Sequence, residues 1–299
     1  MFEKFQKHLE TNFPKIKDQN ILLALSGGLD SCVLLDLIFK LGLRPALAHC
    51  NFQLRGIASN HDARWVKTLA HEKGLEYHIQ NFDTHDYVLD KKVSIQMAAR
   101  DLRYQWFETL SEQNDYDFIF VAHHADDVLE TFMINVMRGT GLKGLLGIPE
   151  RRGKILRPLL PFSREEIKQY AIENKIQYRE DESNAKTDYL RNALRHEVIP
   201  KWKKRDSNFD EQFRETLKYL GQAQLVLDNV LEDFKNKNFI PFQQGFKISI
   251  NELEVKSSLT YYLHALFAPY GFLNLQDLEQ LMHSQSGKQL FSDTHRLIK

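Results

Sequence analysis

The 299-residue sequence carries 42% apolar and 27% charged side chains, and its 40 basic and 40 acidic residues cancel. That apolar content, with 20 Phe, 11 Tyr and 3 Trp, excludes a disordered chain and supplies core for about two domains. The longest strictly apolar runs, Ile21–Leu25 and Phe118–Ala122, are far short of the roughly 20 residues of a membrane span.

The first fifteen residues mix charge and aromatics and lack the apolar core of a signal peptide. Two cysteines, Cys32 and Cys50, are too few for a disulfide framework or a zinc site, so a reducing, cytoplasmic location is expected. From Ile21 onward, short apolar runs alternate with longer segments of 3.6-residue period. Ile21–Leu25, Pro45–His49, Glu76–Gln80 and Asp117–His123 read as buried strands. Leu29–Leu41, Ser59–Gly74, Val93–Gln113 and Ala125–Arg138 read as the helices between them. Alternation of this kind predicts an α/β fold with a doubly wound parallel sheet.

Gly139–Gly153 holds five of the fourteen glycines and reads as a mobile loop or lid at the sheet edge. Ser163 and Glu166 form a capping-box pattern opening a helix over Arg164–Asn174. Lys186–Arg205 then sets seven bases (Lys186, Arg191, Arg195, Lys201, Lys203, Lys204, Arg205) against Asp188 and Glu197. The domain boundary is expected near Lys204–Ser207, giving a catalytic domain over 1–205 and a mainly helical domain over 206–299. That second part also carries two short strands near Phe239–Ile250. Gly287–Lys299 starts a strand–turn–strand pattern and stops inside its second apolar run, so the native chain is expected to continue beyond Lys299.

The most informative motif is Ser26, Gly27, Gly28, Leu29, Asp30 and Ser31, between a predicted strand and a predicted helix. Two glycines let backbone approach an anion, and the serine hydroxyls join the free N–H groups of the helix's first turn in facing it. Asp30 would repel a phosphate unless a cation lay between them, which points to Mg²⁺. The plain alternative is a tight strand–helix turn with a serine cap. No GxxxxGK[ST] pattern of a Walker loop is present.

SGGLDS resembles the pyrophosphate-binding loop of the N-type ATP pyrophosphatases, and the later motifs narrow the resemblance. His49-Cys50-Asn51 with Leu54-Arg55-Gly56, Ser59 and Asp62 comes first, then Arg100-Asp101-Leu102-Arg103. His123-His124-Ala125-Asp126-Asp127 with Glu130-Thr131 follows, then Arg138-Gly139-Thr140-Gly141 and Arg157-Pro158. Asp181-Glu182-Ser183-Asn184 and Arg191-Asn192 close the series. In order and spacing the set is similar to that of the bacterial tRNA(Ile)-lysidine synthetase family over residues 20–200. The similarity is weaker over 206–299, where only the helical organisation matches.

The resemblance implies an adenine nucleotide alpha hydrolase-like sheet and a helical tRNA-binding domain. It implies ligation of free L-lysine to C2 of the wobble cytidine of an isoleucine tRNA with a CAU anticodon. ATP and Mg²⁺ would be consumed or required, with an adenylated tRNA intermediate and release of AMP and pyrophosphate. Ser26–Ser31 would cradle the phosphates, with Asp30 toward the metal. His49 and Asn51 would line the purine pocket, although His49 also fits a satisfied core histidine.

Asp127 and Glu130, three apart on one helix face, suit a cationic amino acid, and the resemblance puts lysine there. Their plain alternatives are a helix N-terminal acid and a solvated glutamate. Arg100 and Arg103 share a helix face, and Arg103 resembles an arginine acting near the phosphate or the carboxylates; surface ion pairing is the alternative. His123, His124 or a carboxylate would take the amine's proton, the choice staying open. Lys186–Arg205 with Arg151, Arg152, Lys154 and Arg157 is the expected surface for tRNA phosphates, with Tyr189 and Trp202 available to stack on bases. Dimerisation is left open. Thiolation on the same scaffold would want a CxxC pair, which Cys32 and Cys50 do not supply.

Overall fold

The computed structural model describes residues 1–179 and 190–299. Asp181 to Asn184, Lys186, Asp188 and Tyr189, singled out above, lie outside the described residues. The chain separates into two compact units, Met1–Leu217 and Lys218–Lys299.

The first unit begins with α1 (Phe2–Asn12), which buries Phe5 and Leu9 although its charged sequence gave no clear helical signal. β1 (Ile21–Ala24), α2 (Leu29–Lys40), β2 (Ala46–Asn51), α3 (Ile57–Lys73) and β3 (Tyr77–Asn81) follow. After them come α4 (Thr84–Lys91), α5 (Ile95–Gln113), β4 (Phe118–Phe120) and α6 (Ala125–Met137). The chain continues through α7 (Leu142–Leu145), β5 (Arg151–Arg152), β6 (Ile155–Leu156) and α8 (Arg164–Glu173).

The strand order is β3-β2-β1-β4-β6-β5, parallel except for β5 on β6. The expected doubly wound parallel sheet is therefore present, with β6 and its antiparallel edge strand added. Gly139–Gly153, expected as a mobile loop, instead carries α7 and β5, and the Asn135 amide donates to the Gly144 carbonyl at 2.8 Å.

Alternate strand residues explain why the strands read as continuous apolar runs. Leu23, Leu47 and Phe120 pack with α1, α2, α3 and α8 on one face of the sheet. Leu22, Ala46, Ala48 and Ile119 pack with Phe107 and Leu110 of α5 on the other. Each of the Leu, Ile and Phe side chains, fully buried, contributes about 1.5–3 kcal/mol. Helix boundaries follow local chemistry. The Ser94 hydroxyl accepts from Met97 N at 3.2 Å to open α5. Ser163 and Glu166 close the expected capping box on α8, at 3.2 and 2.9 Å.

Sequence order reverses across β1 and β4, so the crevice at their carboxyl ends is the switch point of the sheet. The loop after β1 and the start of α6 after β4 both open there. α9 (Leu190–Ala193), a π-helical turn over Leu194–Val198 and α10 (Ile199–Arg205) lie against α6. Leu194 and Ile199 are buried there with Leu129, Met133 and Ile134.

α11 (Phe209–Asn238) runs across the division between the units. The second unit holds the hairpin β7 (Ile240–Phe242) and β8 (Gly245–Lys247), then α12 (Ile250–Glu254), α13 (Leu259–Phe267) and α14 (Leu275–Met282). The hairpin β9 (Gln289–Phe291) and β10 (Arg296–Ile298) ends the chain. Its core gathers Leu231, Phe234, Leu253, Leu263, Leu266, Phe272, Leu278 and Met282.

Candidate active site

The loop after β1 is shaped by a glycine at positive φ and by two serine hydroxyls. Gly27 sits at φ +89°, a conformation side chains rarely adopt, and a Cβ there would touch the Trp65 ring at 3.4 Å. Ser26 Oγ accepts from Gly28 N at 3.2 Å and lies 3.1 Å from Ser31 Oγ, while Ser31 Oγ donates to the Gly28 carbonyl at 3.0 Å. The hydroxyls and the first turn of α2 from Leu29 thus form one preorganised concavity of the kind that holds phosphate. Arg179 N donates to the Gly27 carbonyl at 2.8 Å, tying the end of the described segment to this loop.

Asp30 stands at the edge of that concavity. Its Oδ1 is buried without a hydrogen-bond partner, and burial pushes its carboxyl above the ordinary aspartate value. An orphaned carboxylate oxygen beside a phosphate cradle fits a cation shared with the phosphates. Among the described residues no group of three or more His, Cys, Asp or Glu is arranged to hold a metal by itself.

The carboxylates of α6 meet the loop through His124. This buried imidazole has Nε2 at 3.7 Å from Asp30 Oδ2 and 3.6 Å from Asp127 Oδ2. Asp127 Oδ2 also accepts from His124 N at 3.0 Å, as an N-terminal helix acid does. Glu130, expected as solvated in its plain reading, is instead 1% exposed. Arg195 Nε donates to Glu130 Oε1 at 2.6 Å, and its Nη2 reaches Glu130 Oε2 at 3.0 Å and Asp127 Oδ1 at 3.1 Å.

The two acids are driven apart. Burial pushes Asp127 up, but His124, His123, the His124 N–H and Arg195 outweigh it and hold the carboxyl below its ordinary value. Burial dominates at Glu130 and keeps it above its ordinary value despite Arg195. Such a split is the usual mark of two acids with different tasks.

His123 is neutral at physiological pH, its pKa lowered to about 4 chiefly by burial, with Arg157, Arg103 and Arg100 adding to the effect. Its Nδ1 accepts from Arg157 Nε at 3.2 Å, which leaves the proton on Nε2. His123 therefore presents an N–H donor at Nε2 in this arrangement, and the choice of base among His123, His124 and a carboxylate stays open. Arg103 lies over the Phe52 ring at 5.4 Å and Arg100 over Tyr104 at 4.9 Å.

His49 and Asn51 are both engaged by the fold. His49 Nδ1 donates to the Leu25 carbonyl at 2.9 Å, the contact of a satisfied core histidine. Asn51 Nδ2 donates to Asn60 and Asn81, and its Oδ1 accepts from Gln53 N, so it organises the loop after β2.

Four side chains make contacts that the sequence reading had not assigned to them. Arg195 was counted as surface charge, yet it turns onto α6, because Leu194 beside it is buried there. Lys203 of the same stretch pairs with Asp126 and Asp210, and Arg157 is buried. Asp62 takes Arg55 Nη2 on one oxygen and Arg179 Nε on the other, each at 2.7 Å. No sequence signal marks which of seven clustered bases faces inward.

A PP-loop domain model matches residues 1–202, and a TilS substrate binding domain model matches 242–299. The tRNA(Ile)-lysidine synthase of Bacteroides thetaiotaomicron is 37% identical over 297 residues, covering 98% of this chain and 68% of the relative. This chain belongs to the tRNA(Ile)-lysidine synthase family of PP-loop proteins. The family member of Porphyromonas gingivalis is 38% identical over 285 residues, covering 94% of this chain and 62% of the relative. The one from Bacillus subtilis is 35% identical over 247 residues, covering 80% and 52%. The chain thus spans about half to two-thirds of the length of these curated relatives. A solved U34-tRNA thiolase from Methanococcus maripaludis shares the fold at TM-score 0.61 and 16% identity, over 73% of this chain and 78% of that one.

Proposed function

We propose that the chain uses ATP to activate the C2 oxygen of the wobble cytidine in a CAU-anticodon isoleucine tRNA and then joins free L-lysine at that carbon. In the first step the C2 oxygen attacks the α-phosphorus and pyrophosphate leaves. In the second, the neutral ε-amine attacks C2, and AMP departs with the oxygen. The observation that carries this reading is the phosphate loop and the Asp127/Glu130 pair facing one switch-point crevice, linked by His124, in a chain whose relatives carry that family's name.

Each residue has a part in the proposal. Ser26 to Ser31 hold the phosphates through backbone N–H groups and two hydroxyls, which stabilises charge developing at phosphorus. Asp30, whose Oδ1 lacks a partner, is the residue for Mg²⁺, which when bound neutralises phosphate charge. Asp127 and Glu130 hold the lysine. Arg100 and Arg103, neither of which forms an ion pair among the described residues, face the anionic intermediate. His49 and Asn51 shape the purine side through the backbone they fix. Exposed Lys201, Trp202, Lys204 and Arg205 of α10 meet tRNA, and the helical region from 206 onward binds it as well. A cytoplasmic location follows from these substrates, and among the described residues no helix is long and apolar enough to cross a membrane.

Sulfur transfer on this scaffold finds no support in the cysteines. Burial pushes both the Cys32 and Cys50 thiols up to about 12, far from a reactive thiolate. The test is an omission series with labelled ATP, L-lysine and the CAU-anticodon isoleucine tRNA. The proposal expects adenylation to require tRNA, and AMP turnover to require lysine as well. AMP release that ignores lysine contradicts it.

A further inference from the structure

The cation site on α6 is not a bare pair of acids. Besides the three bonds from Arg195, Arg191 places Nε 3.4 Å from Glu130 Oε2 and donates from Nη2 to Thr131 Oγ1 at 2.8 Å. Two carboxylates and two guanidiniums leave the cluster with no net charge. They are also layered. Side-chain exposure rises from 1% at Glu130 and 13% at Asp127 to 20% at Arg195 and 44% at Arg191. The floor is anionic and the mouth is cationic.

That layering matters for the choice of amine. A purely acidic cleft would favour 1,5-diaminopentane, which has two ammonium groups, over lysine, which has the same two and a carboxylate. A neutral cleft with guanidinium at its mouth reverses the order, because a diamine leaves Arg191 unsatisfied and repelled.

We propose that Arg191 is the specificity-determining residue for a free α-amino acid, receiving the α-carboxylate while Asp127 and Glu130 take the α-ammonium. The inference rests on the lysine-ligation reading above. Arg195 is the resident counter-charge, since its Nε and Nη2 are committed to the two acids. Among the described residues Arg191 commits only Nε and one Nη2 hydrogen, and its planar fork keeps the Nη1 side for a carboxylate. The lysine arm then has a direction to run. From Cα to Nζ it spans roughly 6 Å, and a single imidazole, His124, separates Asp127 from Asp30 of the phosphate loop.

The experiment is isothermal titration of the full chain with L-lysine and with 1,5-diaminopentane, on wild type, Arg191→Gln and Arg191→Lys. Wild type is expected to bind lysine about 10- to 100-fold more tightly than the diamine, the range of one charge-assisted contact. Arg191→Gln loses that factor for lysine while diamine binding stays level or tightens, and Arg191→Lys recovers part of it. A merely structural role would move both ligands together. Equal affinities in wild type, parallel losses in Arg191→Gln, or no lysine binding would each overturn the proposal. Lysidine formation assayed alongside separates the two ideas. Lysidine made without discrimination overturns only the Arg191 role. Discrimination without lysidine overturns only the ligation reading.

Discussion

Replacing Arg195 with methionine removes the only cation hydrogen-bonded to both α6 acids among the described residues and keeps a side chain of similar reach. Glu130 is 1% exposed and, among the described residues, would be left with only Arg191 at 3.4 Å to answer its charge. Three charge-assisted bonds of 2.6, 3.0 and 3.1 Å vanish together. Breaking a buried pair from one side costs about 3–5 kcal/mol. Glu130 limits that cost by taking up a proton, since burial already holds its carboxyl above the ordinary value. We therefore expect a loss of about 3 kcal/mol at pH 7. The sign with pH follows from linkage. A carboxyl whose folded pKa is raised loses stability as pH climbs from its unfolded toward its folded value, so the deficit shrinks on going down to pH 5. Trp65, Trp106 and Trp202 all lie within residues 1–217, so urea unfolding followed by tryptophan fluorescence reports on this unit. For a unit of this size the loss appears as about 6–12 °C in Tm. Adding Glu130→Leu to Arg195→Met should restore most of it, because an apolar pair of similar volume replaces buried ions at little cost. A single variant costing under about 1 kcal/mol, or a double variant no better than the single one, would refute the reasoning.

His123→Asn tests the lowered imidazole pKa. The unfolded chain takes up this proton near pH 6.5 and the folded chain near 4, so wild-type stability rises with pH across that window, and the variant should show a flatter slope in urea melts. Gly27→Ala forces a side chain into φ +89° and should cost about 1–2 kcal/mol. The same variant should weaken ATP binding about tenfold, read by titration with a non-hydrolysable ATP analogue. Asp62→Asn releases part of the hold on Arg55 and Arg179 beside the phosphate loop. Because both guanidiniums are substantially exposed, the stability loss should stay near 1 kcal/mol, with ATP affinity falling more visibly than Tm.

The parallel sheet was legible because strands buried on both faces write continuous apolar runs, and Leu22 and Leu23 or Ile119 and Phe120 serve opposite cores with equally apolar side chains. The tight glycine turn after β1 was legible because Gly27 needs a backbone freedom few residues have. Short edge pieces were not, since two-residue strands such as β5 and β6 carry no periodicity to read. Neither was α1, whose two core residues Phe5 and Leu9 sit among charges. At the site, the Asp127/Glu130 spacing pointed to a shared face, but the guanidinium that meets them comes from 65 residues further along the chain. Its direction is set by Leu194 and Ile199 packing on α6, a tertiary choice that charge counting cannot register. The same packing turns Arg195 inward and pairs Lys203 with Asp126, so the basic stretch offers less surface charge than its composition suggests.

The central claim is best tested on the tRNA itself. The chain would be incubated with ATP, L-lysine and the CAU-anticodon isoleucine tRNA, the tRNA digested, and its nucleosides weighed. The account predicts that the wobble cytidine gains one lysine less one water, only when ATP and lysine are both present. An unmodified cytidine beside stoichiometric AMP release would contradict it.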